Sequence, residues 1–407
     1  MRILQISHNF HIVGGSDAVF FATCELLTNA GHQVIPFCIK NPANHPSRWS
    51  RYFPRGADTR AALVRDTFRY FFNAEARDKL RQLLDQAGPV DAAHLHIYHG
   101  KQTPAILPVL REHGIPIVHS LHEYKLACPV YTMQRDGRPC DLCISGSALN
   151  CVRYRCKDGS LVRSAVMAAE QMTSRMQGDV RLIDRFLCVS DFQRQIMVRA
   201  GIEQDKLHTV PNFVNTDELI AKPGHDKYLL YFGRIETLKG VPTLLKAVAQ
   251  SGHQLRIAGD GNWRPEMERQ IEGLANVSYL GFQHGAALRR LIGRAKAVIV
   301  PSEWSENCPM AVLEAKALGR PVIGARIGGI PELVRDGRDG FLFEPGNVSD
   351  LIGALAALDQ ADHASLSRNA RQDSEARFSP AVYLKTLLRH YRECRPADAL
   401  GKVMQSA

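Results

Sequence analysis

The sequence predicts an α/β protein made of two Rossmann-like, doubly wound domains, with a cysteine-rich insertion in the first. Three observations predict it. Apolar runs of strand length alternate with amphipathic helical stretches, once over residues 2–200 and again over residues 228–324. In each half the opening strand leads into a glycine-bounded turn, Gly14-Gly15 in one and Gly233 to Gly240 in the other. A chain of 407 residues also has material for two or three domains with sizeable cores.

In the first half, residues 2–6 and 33–39 are strand-length apolar runs, separated by a helical stretch over residues 17–30 that Gly31 closes. Gly14-Gly15-Ser16-Asp17 occupies the strand-to-helix turn, where doubly wound sheets bind ligands and where glycine lets the backbone approach them. An ordinary capped helix start accounts for the same residues. Residues 92–97 and 115–121 give two more strands. His94 and His96 alternate onto one face of the first, a pattern more often of packed histidines than of a metal site. The second ends at His122, a candidate polar contact at a strand end, with His119 three residues back as its rival. Residues 186–190 complete this sheet and residues 191–200 form a helix.

Cys140, Cys143, Cys151 and Cys156 place four thiols within 17 residues, in a segment of about residues 128–160 with few core-forming side chains. The expectation is a structural zinc held by all four thiolates, which would fold a loop too poor in apolar residues to fold itself. Metal-free thiols and an iron–sulfur cluster are the alternatives, and Cys128 is a fifth available ligand.

The second half repeats the alternation, with strands over residues 228–232, 254–258, 277–280, 297–300 and 322–324. The first of them ends in a turn carrying Arg234 and Lys239, two cations suited to a diphosphate leaving group. Gly259-Asp260 lies at the next strand end. After residues 297–300, Pro301 and Ser302 end the strand, and a helix of about 10 residues follows, with Pro309 in its first turn and Gly319 and Pro321 at its stop. Glu306 falls in the loop at the helix mouth and Glu314 inside the helix. First-turn amides and the helix dipole favour an anion there, and acceptor-only carboxylates favour hydroxyl donors, a combination that suits a nucleotide-sugar. An isolated Glu pair at this spacing is also explained by two solvated residues.

The pair is not isolated. Residues 297–345 resemble the signature of the retaining glycosyltransferases of family 4, or group 1, whose two-domain fold is named GT-B. The resemblance runs through Glu306-Asn307-Cys308-Pro309-Met310-Ala311-Val312-Leu313-Glu314-Ala315, then Gly319-Arg320-Pro321, Gly328-Gly329-Ile330-Pro331-Glu332 and Gly340-Phe341-Leu342. Members often have glycine where this chain has Asn307 and Cys308. The resemblance implies that Arg234 and Lys239 clamp the diphosphate of a nucleotide-sugar and that Glu314 holds the ribose hydroxyls. It implies that Glu306, with the backbone of Asn307, Cys308, Pro309 and Met310, orients the donor sugar, and that Gly14 and Gly15 face the cleft with Gly259 and Asp260 near the base. His122 matches the histidine of the family's His-Asp pair, with Glu123 replacing the Asp. It further implies an N-terminal acceptor-side domain over residues 1–213, a donor-binding domain over 214–378, and over 379–407 a C-terminal helix, ending near Cys394, that crosses back to the first domain, followed by a tail. The boundary should fall in the polar stretch 215–226, which includes Pro223 and Gly224.

By the same resemblance the reaction is sugar transfer from a nucleotide-diphosphate-sugar, with retention, to a saccharide or polyprenyl-linked acceptor in cell-surface polysaccharide assembly. No cofactor is expected for the chemistry, since the chain has no Asp-x-Asp. A nucleotide-sugar 2-epimerase of the same fold is the alternative within the enzymes. A zinc-ribbon nucleic-acid binder is the alternative outside them, but it leaves the second half unexplained, so no nucleic-acid partner is expected.

Composition bounds the setting. Net charge is +10, with 26 Lys+Arg against 19 Asp+Glu in residues 1–213. Within residues 48–81, Arg48, Arg51, Arg55, Arg60, Arg65, Arg69, Arg77, Lys79 and Arg81 accompany Trp49, Tyr52, Phe53, Phe68, Tyr70, Phe71 and Phe72. Such a stretch suits anionic lipid headgroups, or else a core-packing helix with a solvated basic edge. No run approaches 18 apolar residues and residues 1–20 hold no signal-like apolar segment, so a cytoplasmic protein is expected, peripheral on the inner face of the membrane.

Overall fold

The computed structural model describes residues 1–57, 65–221 and 224–394. Arg60, Pro223 and the tail expected after residue 394 lie outside the described residues, as does the side chain of Arg65. The chain forms two parallel six-stranded sheets. The first contains β1 (Arg2–Ile6), β2 (Gln33–Phe37), β3 (Ala92–Leu95) and β4 (Ile117–Leu121). After a small hairpin of β5 (Gln134–Arg135) and β6 (Arg138–Pro139), β7 (Arg185–Cys188) and β8 (Leu207–Thr209) complete it in the order β2-β1-β3-β4-β7-β8. The second contains β9 (Leu229–Arg234), β10 (Leu255–Asp260), β11 (Val277–Tyr279), β12 (Ala297–Val300), β13 (Val322–Ala325) and β14 (Gly340–Phe343), in the order β11-β10-β9-β12-β13-β14. Helices cover both faces of each sheet, which is why the central strands read as unbroken apolar runs rather than as alternating ones.

Each sheet reverses its winding once. In the first the chain steps from β1 out to β2, then returns to β3 on the other side of β1; in the second it runs β9, β10, β11 and returns to β12 beside β9. Crevices outside the carboxyl ends of strands at such reversals are where open α/β sheets bind ligands. Gly14-Gly15 follows β1, while Gly233-Arg234 ends β9 and Pro301 follows β12. Gly240, at φ +72, is needed here because a Cβ at this position would overlap the Pro301 carbonyl oxygen.

The C-terminal helix Pro380–Glu393 lies on the first domain, where Tyr383, Leu387 and Tyr391 join Ile3, Leu27, Val118 and Leu187 in one buried cluster. Phe213 stacks on Tyr383 at 4.4 Å between ring centres. The preceding helix, His363–Phe378, belongs to the second domain: its Asp373 is 2.6 Å from the buried Lys316, which also meets Asp339 at 3.0 Å.

Several expectations are corrected. Segment 128–160 is not short of core: Cys128, Val130, Met133, Ile144 and Cys151 are buried in the first domain's main cluster. Trp49, Tyr52 and Phe53 are buried in that cluster too, so they form no surface patch, and of the aromatics named above only Phe68 and Phe72 are exposed among the described residues. The helix after β12 has eight residues, Met310–Ala317, with Pro309 as its extended N-cap, because Gly319 turns left-handed at φ +66 just beyond it. The edge strands β8 and β14 escape pattern reading, since three or four residues at a sheet margin carry too little periodicity.

Candidate functional site

The carboxyl ends of the two sheets share a cavity of about 440 Å³. Gly15, Ser16, His122 and Glu123 line it from the first domain. Arg234, Lys239, Ser302, Trp304, Glu306, Asn307, Cys308, Pro309 and Met310 line it from the second. Contacts across the cleft fix this register: Asn307 Nδ2 donates to the His122 carbonyl at 3.1 Å and the Tyr124 hydroxyl to the Ser305 carbonyl at 3.2 Å. Glu332 receives the amides of Asp191 at 2.7 Å and Phe192 at 2.6 Å, so a carboxylate of the second domain caps a helix of the first.

Within the cavity, Lys239 Nζ donates to Glu306 Oε1 at 2.6 Å and the Ser302 hydroxyl donates to the same oxygen at 2.7 Å. Lys239 also lies 4.8 Å from the centre of the Trp304 ring. Arg234 is held at 2.8 Å from Glu236, yet its side chain is 61% exposed. A guanidinium with that freedom can turn to an entering anion, whereas Lys239 is already fixed at the wall.

Glu314 is reached one turn into the helix from Met310 and does not itself line the cavity. Burial alone pushes its carboxyl up to about 7. Gly14, Gly259 and Asp260 also stand off the lining. Gly14 caps the helix Gly15–Asn29, with Asp17 accepting its amide at 3.1 Å, while Gly259 and Asp260 pair in register with Gly233 and Arg234 on the neighbouring strand.

His122 faces the cavity, and burial lowers its imidazole to about 4, so it is neutral near pH 7. His119 points away, with its Nε2 at 2.9 Å from the His96 carbonyl. A buried chain sets the His122 tautomer. Gln5 Oε1 only accepts, so His96 Nε2, at 3.0 Å, carries a proton. Neutral His96 then accepts at Nδ1 from His122 Nε2–H at 2.8 Å, leaving the Nδ1 lone pair of His122 free to receive a hydroxyl proton. The chain continues to the C-terminal helix, where the Tyr391 hydroxyl meets His94 Nδ1 at 2.7 Å.

Sequence reasoning missed Trp304, Ser302 and the Gln5–His96 support. A tryptophan between two Glu residues in a polar loop was the available signal. Two polar atoms of this wall, Trp304 Nε1 and Asn307 Oδ1, are buried with no hydrogen-bond partner. Orphaned polar atoms lining a cavity are what a polar ligand would satisfy.

The expected zinc site finds no support here. Among the described residues no group of three or more His, Cys, Asp or Glu side chains could hold a metal ion, and Cys140, Cys143, Cys151 and Cys156 are free thiols. The segment is supported by packing instead: Cys151 is 1% exposed, and its thiol meets the Ser164 carbonyl at 3.7 Å.

Two parallel-sheet domains whose winding reversals open onto one shared cleft define the GT-B class of fold. Comparison with known proteins agrees. The family model described as glycosyltransferase family 4 matches residues 13–218, and that described as glycosyl transferases group 1 matches residues 215–373. The chain belongs to glycosyltransferase family 4. It is 34% identical over 154 residues to the sulfoquinovosyl transferase SQD2 of Arabidopsis thaliana, covering 36% of this chain and 30% of that protein. It is 33% identical over 240 residues to the D-inositol 3-phosphate glycosyltransferase of Mycolicibacterium smegmatis, covering 57% of this chain and 52% of that one. The chain thus spans about half or less of the length of these curated relatives. Among solved structures, a glycosyltransferase from Rickettsia africae superposes with a TM-score of 0.69 at 16% identity, covering 97% of this chain and 98% of that one. HepE from Anabaena, in complex with UDP, gives 0.66 at 17% identity, covering 97% and 100%.

Proposed function

We propose that the protein transfers a sugar, with retention of configuration, from a nucleotide-diphosphate-sugar to a saccharide or polyprenyl-linked acceptor, at the membrane surface in cell-surface polysaccharide assembly. The observation that carries this reading is the shared cleft. Arg234 and Lys239 stand at the ends of β9 and the turn beyond it, His122 stands at the end of β4, and the Glu306–Met310 loop lies between them. A relative in fold, HepE, was solved with UDP and with UDP-glucose.

Arg234 and Lys239 neutralise the charge that grows on the departing diphosphate. Glu314, with its burial-raised carboxyl, takes the ribose hydroxyls. Glu306, Asn307 and the amides at the start of the Met310–Ala317 helix orient the donor sugar, and Trp304 Nε1 and Asn307 Oδ1 gain the partners they lack. His122 Nδ1 accepts from a sugar or acceptor hydroxyl. The bond from the anomeric carbon to the phosphate oxygen breaks while the acceptor oxygen bonds to that carbon on the same face, and the acceptor's proton passes to the departing phosphate oxygen. No metal ion and no covalent sugar–enzyme bond is needed in this scheme.

The test is a screen of nucleotide-sugars, reading released nucleotide with and without saccharide and polyprenyl-phosphate-linked acceptors. Acceptor-dependent release supports transfer. A donor isomerised without any acceptor would establish the epimerase reading instead.

A further inference from the structure

The helix Leu161–Met176 is amphipathic in the reverse sense for a globular protein. Its buried side is largely polar, with Ser164, Glu170, Gln171 and Ser174 enclosed beside Ala168, and Met167 half-buried against the core. Its solvent side carries an apolar strip flanked by the exposed Arg163 and Arg175: Leu161 is 52% exposed, Val162 72%, Met172 51% and Met176 84%, with Ala165 and Ala169 exposed between them. Positions 161, 165, 169, 172 and 176 follow the three-and-four spacing of a single helix stripe, so the exposed apolar side chains form one continuous strip. At 16 residues the helix is about 24 Å long, short of the hydrocarbon thickness, and no helix among the described residues is long and apolar enough to cross a membrane.

The inversion has a cause on the buried side. Lys125 pairs with Glu170 at 2.5 Å, Ser174 donates to Glu170 at 3.0 Å, and Gln171 Nε2 donates to the Lys125 carbonyl at 3.0 Å. Arg175 donates to the Leu126 carbonyl at 2.9 Å. The polar face therefore holds the loop that follows His122, and no comparable contact explains the outward strip.

The charge around the strip identifies its partner. Residues 149–178 carry five cations, Arg153, Arg155, Lys157, Arg163 and Arg175, against two acids, Asp158 and Glu170, and Glu170 is buried. Arg153, Arg155 and Arg163 are exposed. Phe68, on the helix Arg65–Phe71 that packs against this one, is 79% exposed. An apolar strip bordered by basic residues is the chemistry of a helix that lies in the plane of an anionic bilayer.

We propose that the outward face of the Leu161–Met176 helix docks on an anionic lipid bilayer. Docked this way, the loop after His122 lies about one helix diameter, ~10 Å, from the headgroups. That places the acceptor side of the cleft within reach of a lipid-linked substrate. This purpose rests on the function proposed above; the contact itself does not.

The test is flotation of the full chain with vesicles of phosphatidylcholine alone and of phosphatidylcholine mixed with phosphatidylglycerol. Expected is salt-sensitive binding to the mixed vesicles, reduced about tenfold or more by Met172→Glu with Met176→Glu, while melting temperature and nucleotide binding stay unchanged. Arg153→Glu with Arg155→Glu, at the end of a separate helix and in the turn beyond it, should weaken the same binding and guards against a fold defect in the first variant. The proposal is overturned if the parent binds neither vesicle or if both variants float like the parent. It is equally overturned if light scattering shows the Met variant merely splitting a dimer. Failure to turn over donor with lipid binding intact would count against the enzymatic reading and not against this contact.

Discussion

Lys239 and Glu306 form an ion pair of 2.6 Å inside the cleft, with side chains only 17% and 9% exposed. In the proposed reaction an arriving diphosphate shares or takes over the lysine, and the pair holds the cation in position beforehand. Removing one partner leaves the other's charge buried. Lys239→Ala should therefore cost roughly 3 kcal/mol of stability in denaturant unfolding as well as most turnover. Lys239→Ala combined with Glu306→Gln should recover much of the stability and none of the activity. A single variant that unfolds like the parent would refute the pairing.

Glu314 gives the site a pH dependence with a definite sign. Its carboxyl is raised to about 7, so its ionised fraction climbs from about one tenth near pH 6 to about nine tenths near pH 8. In the proposed contact with the ribose hydroxyls the ionised carboxylate is the stronger acceptor, and nucleotide affinity should rise up to about ninefold across that window. Glu314→Gln should flatten the profile. For stability the direction is opposite: a raised folded-state value contributes below about pH 4.3 and is lost as pH rises through about 7. Calorimetric titration at several pH values checks the first point and melting curves the second.

His96 positions His122 without touching the cavity itself. His96→Phe removes the acceptor for His122 Nε2–H and should lower kcat by about tenfold to a hundredfold with little change in donor KM. Histidine nitrogen NMR should show His122 in the Nε2–H form in the parent and a mixture of tautomers in the variant.

Two glycines with the same backbone angle separate strain from collision. Gly240 and Gly252 both have φ +72, but only Gly240 faces the Pro301 carbonyl. Gly252→Ala should cost about 1 kcal/mol, the penalty of the left-handed conformation, and Gly240→Ala distinctly more, with loss of donor binding. Thermal unfolding of the two proteins decides.

The cysteine segment should not depend on metal. A chelator is expected to leave the melting temperature unchanged, and Cys140→Ser with Cys143→Ser to shift it little, since both thiols are only partly buried. Cys151→Ser, at a position 1% exposed, should destabilise more. One equivalent of zinc in purified protein would contradict this.

Much of this architecture is legible in the sequence because both sheets are parallel and buried on both faces. The runs at Arg2–Ile6 and Ala297–Val300 have no other good interpretation. The donor-side wall is legible because Arg234, Lys239 and Glu306 lie in local turns whose glycines and prolines mark them. What stayed hidden is long-range. Gln5, His96 and His122 come from three separate strand ends, and only the sheet order brings them into one chain. The zinc expectation went without support for a related reason: spacing suggested ligands, but it did not show that Val130, Met133 and Ile144 already anchor the segment in the core.

The central claim is that one interdomain cleft receives a nucleotide diphosphate, and isothermal titration of common nucleoside diphosphates into the parent, Arg234→Ala and Glu314→Ala proteins tests it most directly. The account predicts saturable binding by the parent to at least one nucleotide, weakened about tenfold or more in each variant. Binding that is absent in the parent, or unchanged in both variants, would contradict it.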